Sequence, residues 1–115
     1  MVHEVVHWEI GGRDLEGLDS FYRQLFAWQS TGSDPNYRLV TPATGIGGGL
    51  MRCHDEMPAY VTFYVAVDDL EATLAKVEAL GGSILVGPTP IPDVGAFALF
   101  QDPEGNTIGI MPLPR

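Results

Sequence analysis

Two histidines and two glutamates, His3, Glu4, His7 and Glu9, fall within the seven residues HEVVHWE. Imidazole and carboxylate so close together suit either of two chemistries. They can ligate a transition metal, or they can line a metal-free pocket in which an acid and a base orient or deprotonate an organic ligand. The stretch alternates, with Val6, Trp8 and Ile10 on one face of a strand and Val5, His7 and Glu9 on the other. His7 and Glu9 therefore share a face at a separation of about 6.5–7 Å, and long side chains at that distance can still converge. His3 has the same parity but lies near the N-terminus. A third reading of His7 is structural: an imidazole hydrogen-bonded to a neighbouring acid inside a partly polar cavity.

The other reactive residues are sparse. His54, Asp55 and Glu56 precede Met57-Pro58 and read as a solvated linker loop. Cys53 is the single cysteine, which excludes an internal disulfide and a four-cysteine zinc site. There is no phosphate loop, no nucleophile elbow and no dinucleotide fingerprint.

The elements that must position these groups come in two similar series. RDLEGLDSFYRQLFAW has helical spacing, with Leu15, Leu18, Tyr22 and Leu25 on one stripe, Phe21 and Phe26 widening it, and Asp14 as the cap. A short strand in FAWQST, a clearer one in YRLVT and a third in IGGGLMR follow. The second series opens with the strand YVTFYVAV, whose Val61, Phe63, Val65 and Val67 oppose Thr62, Tyr64 and Ala66. The helix DDLEATLAKVEALGG comes next, with Asp68 and Glu71 at capping-box spacing, Leu70, Leu74 and Val77 on one stripe, and Gly81 or Gly82 at its end. Strands in SILVG, AFALFQ and TIGIMP close the chain, with the proline-rich PTPIPDVG read as a loop. Asp14-Leu15-Glu16 recurs as Asp69-Leu70-Glu71 at an offset of 55, and GIGGGLM falls on GNTIGIM at an offset of 60. Each half thus reads β-α-β-β-β, and neither could bury both its helix and its sheet alone.

The 115 residues suffice for a single domain with a modest core. An apolar fraction of 45% and a charged fraction of 18% fit an ordinary soluble globule. No apolar run is long enough to span a membrane, and no secretory signal is visible. With the lone cysteine, this gives the cytoplasm as the expected location. The formal charge of -9 repels phosphate backbones and anionic lipid, so neither nucleic acid nor a membrane is an expected partner.

HWEI, DLEGLDSFYRQLFAW, VDDLEATLAKVEALGG and above all DPEGNTIGI resemble the vicinal oxygen chelate superfamily of glyoxalase I, bleomycin-resistance proteins and extradiol dioxygenases. IGGGLM and TPIPDVGAFALFQDPEGN are most similar to the small glyoxalase-related proteins. The resemblance implies an α+β fold of two paired βαβββ modules, about 1–56 and 57–115, forming a curled mixed sheet around a cavity. It also implies a homodimer, with modules paired within or between chains. Metal-using members take ligands from the first and last strands of each module, which here correspond to His7, Gly49, Thr62 and Gly109. Glycine has no side chain to coordinate and a threonine hydroxyl is a poor substitute for imidazole. No cofactor is therefore expected, and His7 with Glu9 is the fallback should a divalent metal bind. The opening stretch reads as a pocket wall that keeps one such ligand.

The expected pocket places His7, Glu9, Thr62 and Tyr64 on inward faces, with Met51 and Met111 at the same parity on the last strands. Gly49 and Gly109 are expected to leave room for an organic ligand, and Trp28, Tyr37 and Phe97 to supply apolar walls. Trp8 and Phe63, of opposite parity, are expected to pack against the helices. Three functions fit: binding or sequestering a small organic compound, such as an antibiotic-like one; a lyase or isomerase related to glyoxalase I, with Glu9 and His7 catalytic and without the standard metal; or a non-catalytic, protein-interaction or structural role.

Overall fold

The structure is a computed structural model, and it describes residues 2–91 and 95–113. Among them are two helices and eight strands, an α+β chain. In order these are β1 (Val5–Gly12), α1 (Leu15–Phe26), β2 (Ser30–Thr31), β3 (Tyr37–Val40), β4 (Gly48–Arg52), β5 (Tyr60–Val67), α2 (Leu70–Ala79), β6 (Ser83–Ile91), β7 (Gly95–Gln101) and β8 (Thr107–Pro112). The chain divides into two compact units, His7–Thr62 and the described residues of Met1–Val6 with Phe63–Arg115.

The units repeat one topology. In the first, the strand order is β2-β3-β4-β1, with β1 and β4 parallel and the other neighbours antiparallel. In the second it is β6-β7-β8-β5, again with one parallel pair, β5 and β8. The register repeats as well. Glu9, Gly49 and Leu39 form one cross-strand row, and Tyr64, Gly109 and Leu99 form its counterpart.

Both helices start close to where their sequences predict, with the cap of α2 falling on Asp69, one residue after the expected Asp68. The Asp14 carboxylate accepts from the Gly17 N–H at 3.0 Å and the Asp69 carboxylate accepts from the Ala72 N–H at 3.1 Å. Such caps satisfy amide donors that a helix start leaves over. After α2, Gly81 takes a φ of +99°, a left-handed turn that glycine enters without penalty.

Each helix covers a small apolar cluster. Leu15, Val40 and Leu50 form the first, with Trp8, Ile10, Leu18, Tyr22 and Trp28 packed against them. Val67, Leu70, Leu74, Ala98 and Ile110 form the second, joined by Val65, Ala96 and Phe100. Trp8 thus packs where its parity puts it. Phe63 does not, being 39% exposed, and Val61 is exposed too. The cluster beneath α2 takes in Val65 and Val67 and goes no further along β5. On that strand the buried face is Thr62, Tyr64 and Ala66. The stripe of α1 is also narrower than its periodicity implies, since Phe21, Leu25 and Phe26 are all more than half exposed.

The proline-rich segment begins as strand rather than loop. β6 continues through Pro88 and Pro90 to Ile91, with register shifts at Ile84, Val86 and Thr89. It ends the strand order of its unit, and an outermost strand tolerates residues that lack an N–H. Pro92, Asp93 and Val94 of that expected loop lie outside the described residues, and its last residue, Gly95, already opens β7. Among the described residues no helix is long and apolar enough to cross a membrane.

Candidate functional site

Polar side chains converge on Glu9 in the first unit. The alternation of β1 turns Trp8 and Ile10 toward α1 and leaves His7, Glu9 and Gly11 on the opposite face. Glu9 is 6% exposed. Its Oε2 accepts the Tyr37 hydroxyl at 3.0 Å and its Oε1 accepts the Tyr60 hydroxyl at 2.6 Å. Hydrogen bonds to an ionised acceptor are stronger than neutral ones, and they help offset the cost of burying a carboxylate. His7 Nε2 lies 2.8 Å from the Tyr37 oxygen, and the two rings stack at a centroid distance of 6.5 Å. Met51 Sδ is 3.2 Å from the Tyr60 oxygen. His7, Tyr37, Met51 and Tyr60 are half-buried, so the carboxylate sits beneath a partly accessible rim.

Glycines let these rings lie flat on the sheet. A Cβ on Gly49 would collide with the Tyr37 ring, and one on Gly11 with the Tyr60 ring. Gly48, facing the other way, is covered by Trp8. In the second unit the Tyr64 ring covers Gly109 in the same manner, with Phe97 edge-on to it at 6.5 Å. The space expected above Gly49 and Gly109 is therefore filled by tyrosine and is not open room for a ligand.

Burial lowers the His7 pKa below its usual value, and the nearby Glu9 charge opposes that shift more weakly. The imidazole is therefore disfavoured as a cation. A histidine whose folded pKa is depressed stabilises the fold above its unfolded pKa of about 6.5, and that contribution is lost progressively as the pH falls from there to the lower folded pKa. Urea unfolding between pH 7.5 and 5.5 is expected to show declining stability, and His7→Gln is expected to flatten the decline. An unchanged slope in the variant would place the pH dependence elsewhere.

The sequence-derived site residues are distributed over both units. His7, Glu9, Tyr37 and Met51 come together in the first unit, and the buried Thr62 ends that unit on β5. Tyr64 and Phe97 meet in the second unit, where Met111 pairs with Ala66 on the neighbouring strand. Trp28 is not with Glu9. It packs against Trp8 at 4.7 Å and against Tyr22 at 5.2 Å, on the helix-facing side. Its place after α1 delivers it to that core cluster. Tyr60 was absent from the sequence reading, although it shares the parity of Thr62 and Tyr64 and could have been found by it.

Among the described residues no group of three or more His, Cys, Asp or Glu is placed to hold an ion. Both oxygens of Glu9 accept phenols, and Tyr37 fills the position above Gly49. A separate hollow of about 290 Å³ lies on the second unit between α2 and β7, lined by Lys76, Val77, Leu80 and Phe100 among others. Its walls are almost entirely apolar, without the convergent polar groups that mark the Glu9 cluster.

Comparison with known proteins agrees with this architecture. The model of the Glyoxalase/Bleomycin resistance protein/Dioxygenase superfamily matches residues 4–110, and the chain belongs to that family. A putative glyoxylase, CFP32, of Mycobacterium tuberculosis is 38% identical over 82 residues, covering 70% of this chain and 31% of the relative. The anthracycline biosynthesis protein DnrV of Streptomyces peucetius is 29% identical, covering 89% of this chain and 44% of the relative. This chain thus spans less than half the length of those two proteins. A glyoxylase-like domain-containing protein of Didymella fabae is 33% identical, with 92% of this chain and 91% of the relative covered. Among solved structures, methylmalonyl-CoA epimerase of Mycobacterium tuberculosis superposes with a TM-score of 0.71 at 16% identity, covering 96% of this chain and 88% of that one. At such identity the likeness concerns the fold.

Proposed function

We propose that this chain is a metal-independent organic-ligand-binding domain of the glyoxalase superfamily, with its ligand seated at His7, Glu9, Tyr37 and Tyr60. The observation that carries the reading is the buried Glu9 carboxylate, held by two phenols beneath a half-exposed rim of tyrosine and imidazole. Apolar surface for affinity with a few fixed polar groups for orientation is what small-molecule sites use. The relatives named for anthracycline biosynthesis support an aromatic compound as the ligand.

A second reading, a lyase or isomerase related to glyoxalase I, draws on the mycobacterial relatives named as putative glyoxylases. It is also favoured by an imidazole that burial keeps from protonating, linked through Tyr37 to a carboxylate. In that case Glu9 and His7 would share the proton transfer.

A thermal-shift screen of small aromatic compounds, run on the native chain and on Glu9→Gln and Tyr37→Phe, tests the proposal. A ligand at this site is expected to raise Tm by mass action, with binding weakened by about tenfold in each variant. Elemental analysis of the same preparation should give well below one transition-metal ion per chain. Near-stoichiometric metal that disappears in His7→Ala would overturn the metal-independent reading. Turnover of a bound compound, abolished in Glu9→Gln, would select the enzyme.

A further inference from the structure

We propose that the apolar hollow between α2 and β7 binds a small amphiphilic carboxylate, with the apolar body against Val77, Leu80 and Phe100 and the anionic head paired with the Lys76 ammonium. This site lies wholly in the second unit and does not depend on the Glu9 cluster.

The walls follow from the end of the helix. Val77 and Leu80, three residues apart where α2 stops, present one apolar face. Gly82 brings the chain so close to that face that a Cβ there would strike Val77 and the Gln101 carbonyl. Phe100 on β7 adds an aromatic wall and also packs against the core cluster beneath α2. Leu80 is 71% exposed, an apolar side chain that the fold leaves uncovered. The volume of about 290 Å³ is at the low end for small-molecule pockets, roughly 300–1,000 Å³, which suits a body of one ring or a short chain.

Lys76 supplies the charge. It is the only lysine in the chain, and from Phe63 onward the sequence holds seven acidic residues against Lys76 and Arg115. Its surroundings are acidic, yet it stands unpaired. Its helical neighbours three and four positions away, Ala72, Thr73, Ala79 and Leu80, carry no charge. Among the described residues its ammonium makes no ion pair or hydrogen bond. A basic residue in the last turn also complements the helix dipole, but this helix end is already closed. The amides of Leu80, Gly81 and Gly82 donate to the carbonyls of Lys76, Val77 and Glu78. Three N–H donors are thus left at the lip of an apolar hollow.

Asp102, the other charged residue of the lining, is engaged by its own turn. Its Oδ1 accepts from the Glu104 and Asn106 amides and its Oδ2 from the Asn106 side chain, each at 2.9 Å. The Asn106 hydrogen bonds hold its carboxyl below the usual carboxylate range, so it stays ionised without a ligand. An organic cation would have to share oxygens that already accept three hydrogen bonds. An organic anion meets an ammonium with no protein partner.

¹H–¹⁵N NMR titrations of the intact chain at pH 7.5 test this with 4-phenylbutyrate, 4-phenylbutylamine and 4-phenylbutan-1-ol, which share a body and differ in head. Shifts are expected at Leu80, Gly82 and Asp102. The carboxylate should bind about threefold more tightly than the alcohol, the scale of one exposed ion pair, and the amine should bind most weakly. Lys76→Gln should make carboxylate and alcohol equal, as should about 0.5 M sodium chloride. Leu80→Ser, at an exposed position, should weaken carboxylate and alcohol alike and leave their ratio unchanged. Tightest binding by the amine, or equal binding of carboxylate and alcohol to the native chain, would overturn the proposal. So would the absence of shifts at Leu80, Gly82 and Asp102 with all three compounds. Shifts at Gly49 without shifts at those residues would overturn it too, while leaving the Glu9 site standing.

Discussion

Leu50→Ala is expected to lower the free energy of unfolding by about 3 kcal/mol, the middle of the range for emptying a fully buried leucine site. Leu50 is 1% exposed, on the central part of β4, with Ile10 and Arg38 as its cross-strand partners. It packs with Leu15 and Val40 beneath α1, among Trp8, Tyr22 and Trp28. Large rings cannot readily slide into a three-atom gap, so most of the void should persist. Leu50→Met, which keeps the volume, should cost less than about 1.5 kcal/mol. Urea unfolding of both variants at pH 7.5 is the measurement. A loss below about 1 kcal/mol for the alanine would mean that the cluster closes over the gap. Leu50 stands between Gly49 and Met51, whose side of β4 faces the Glu9 cluster, so the same packing holds the strand under the site.

Gly49→Ala is expected to cost about 2 kcal/mol, the usual scale for overpacking, and to abolish binding at the Glu9 cluster. The added methyl would occupy space now filled by the Tyr37 ring, so the ring must swing away from both His7 and Glu9. The decisive comparison is a double-mutant cycle with Tyr37→Ala. Each single change disrupts the same contact, so the pair should be less damaging than the sum by about 1 kcal/mol or more. Strict additivity would show that the ring and the glycine do not compete for one volume.

Much of this arrangement is legible in the sequence because it follows from short periods. The alternation in EVVHWEI separates Trp8 from Glu9 and puts His7 beside the acid, as the structure has them. The repeated Asp-Leu-Glu marks both helix starts, since an aspartate cap acts within three residues. What needed distant information was misread. Periodicity reveals the apolar stripe of α1 but not the width of the surface opposing it, and so Phe21, Leu25 and Phe26 read as core. Pro88 and Pro90 signal a break, yet they can stay in a strand that forms an edge. Tyr37 read as an apolar wall because its partners, His7 and Glu9, lie 30 and 28 residues away. A glycine in a sequence announces a missing side chain; it does not announce which ring has moved into the space.

The seating of aromatic rings on glycines also constrains how this chain can change over generations. Gly11, Gly48, Gly49 and Gly109 each lie under a ring contributed by another residue. At such a position every substitution adds atoms to occupied space, so the first mutation is penalised unless the ring has already been trimmed. Trimming the ring first has its own penalty, because Tyr37 and Tyr60 also hold the buried carboxylate. Both orders of mutation therefore cross a less fit intermediate. A new carboxylate at Gly49 would require the eviction of Tyr37 as well, which makes a change of chemistry on this scaffold a two-step path through a valley.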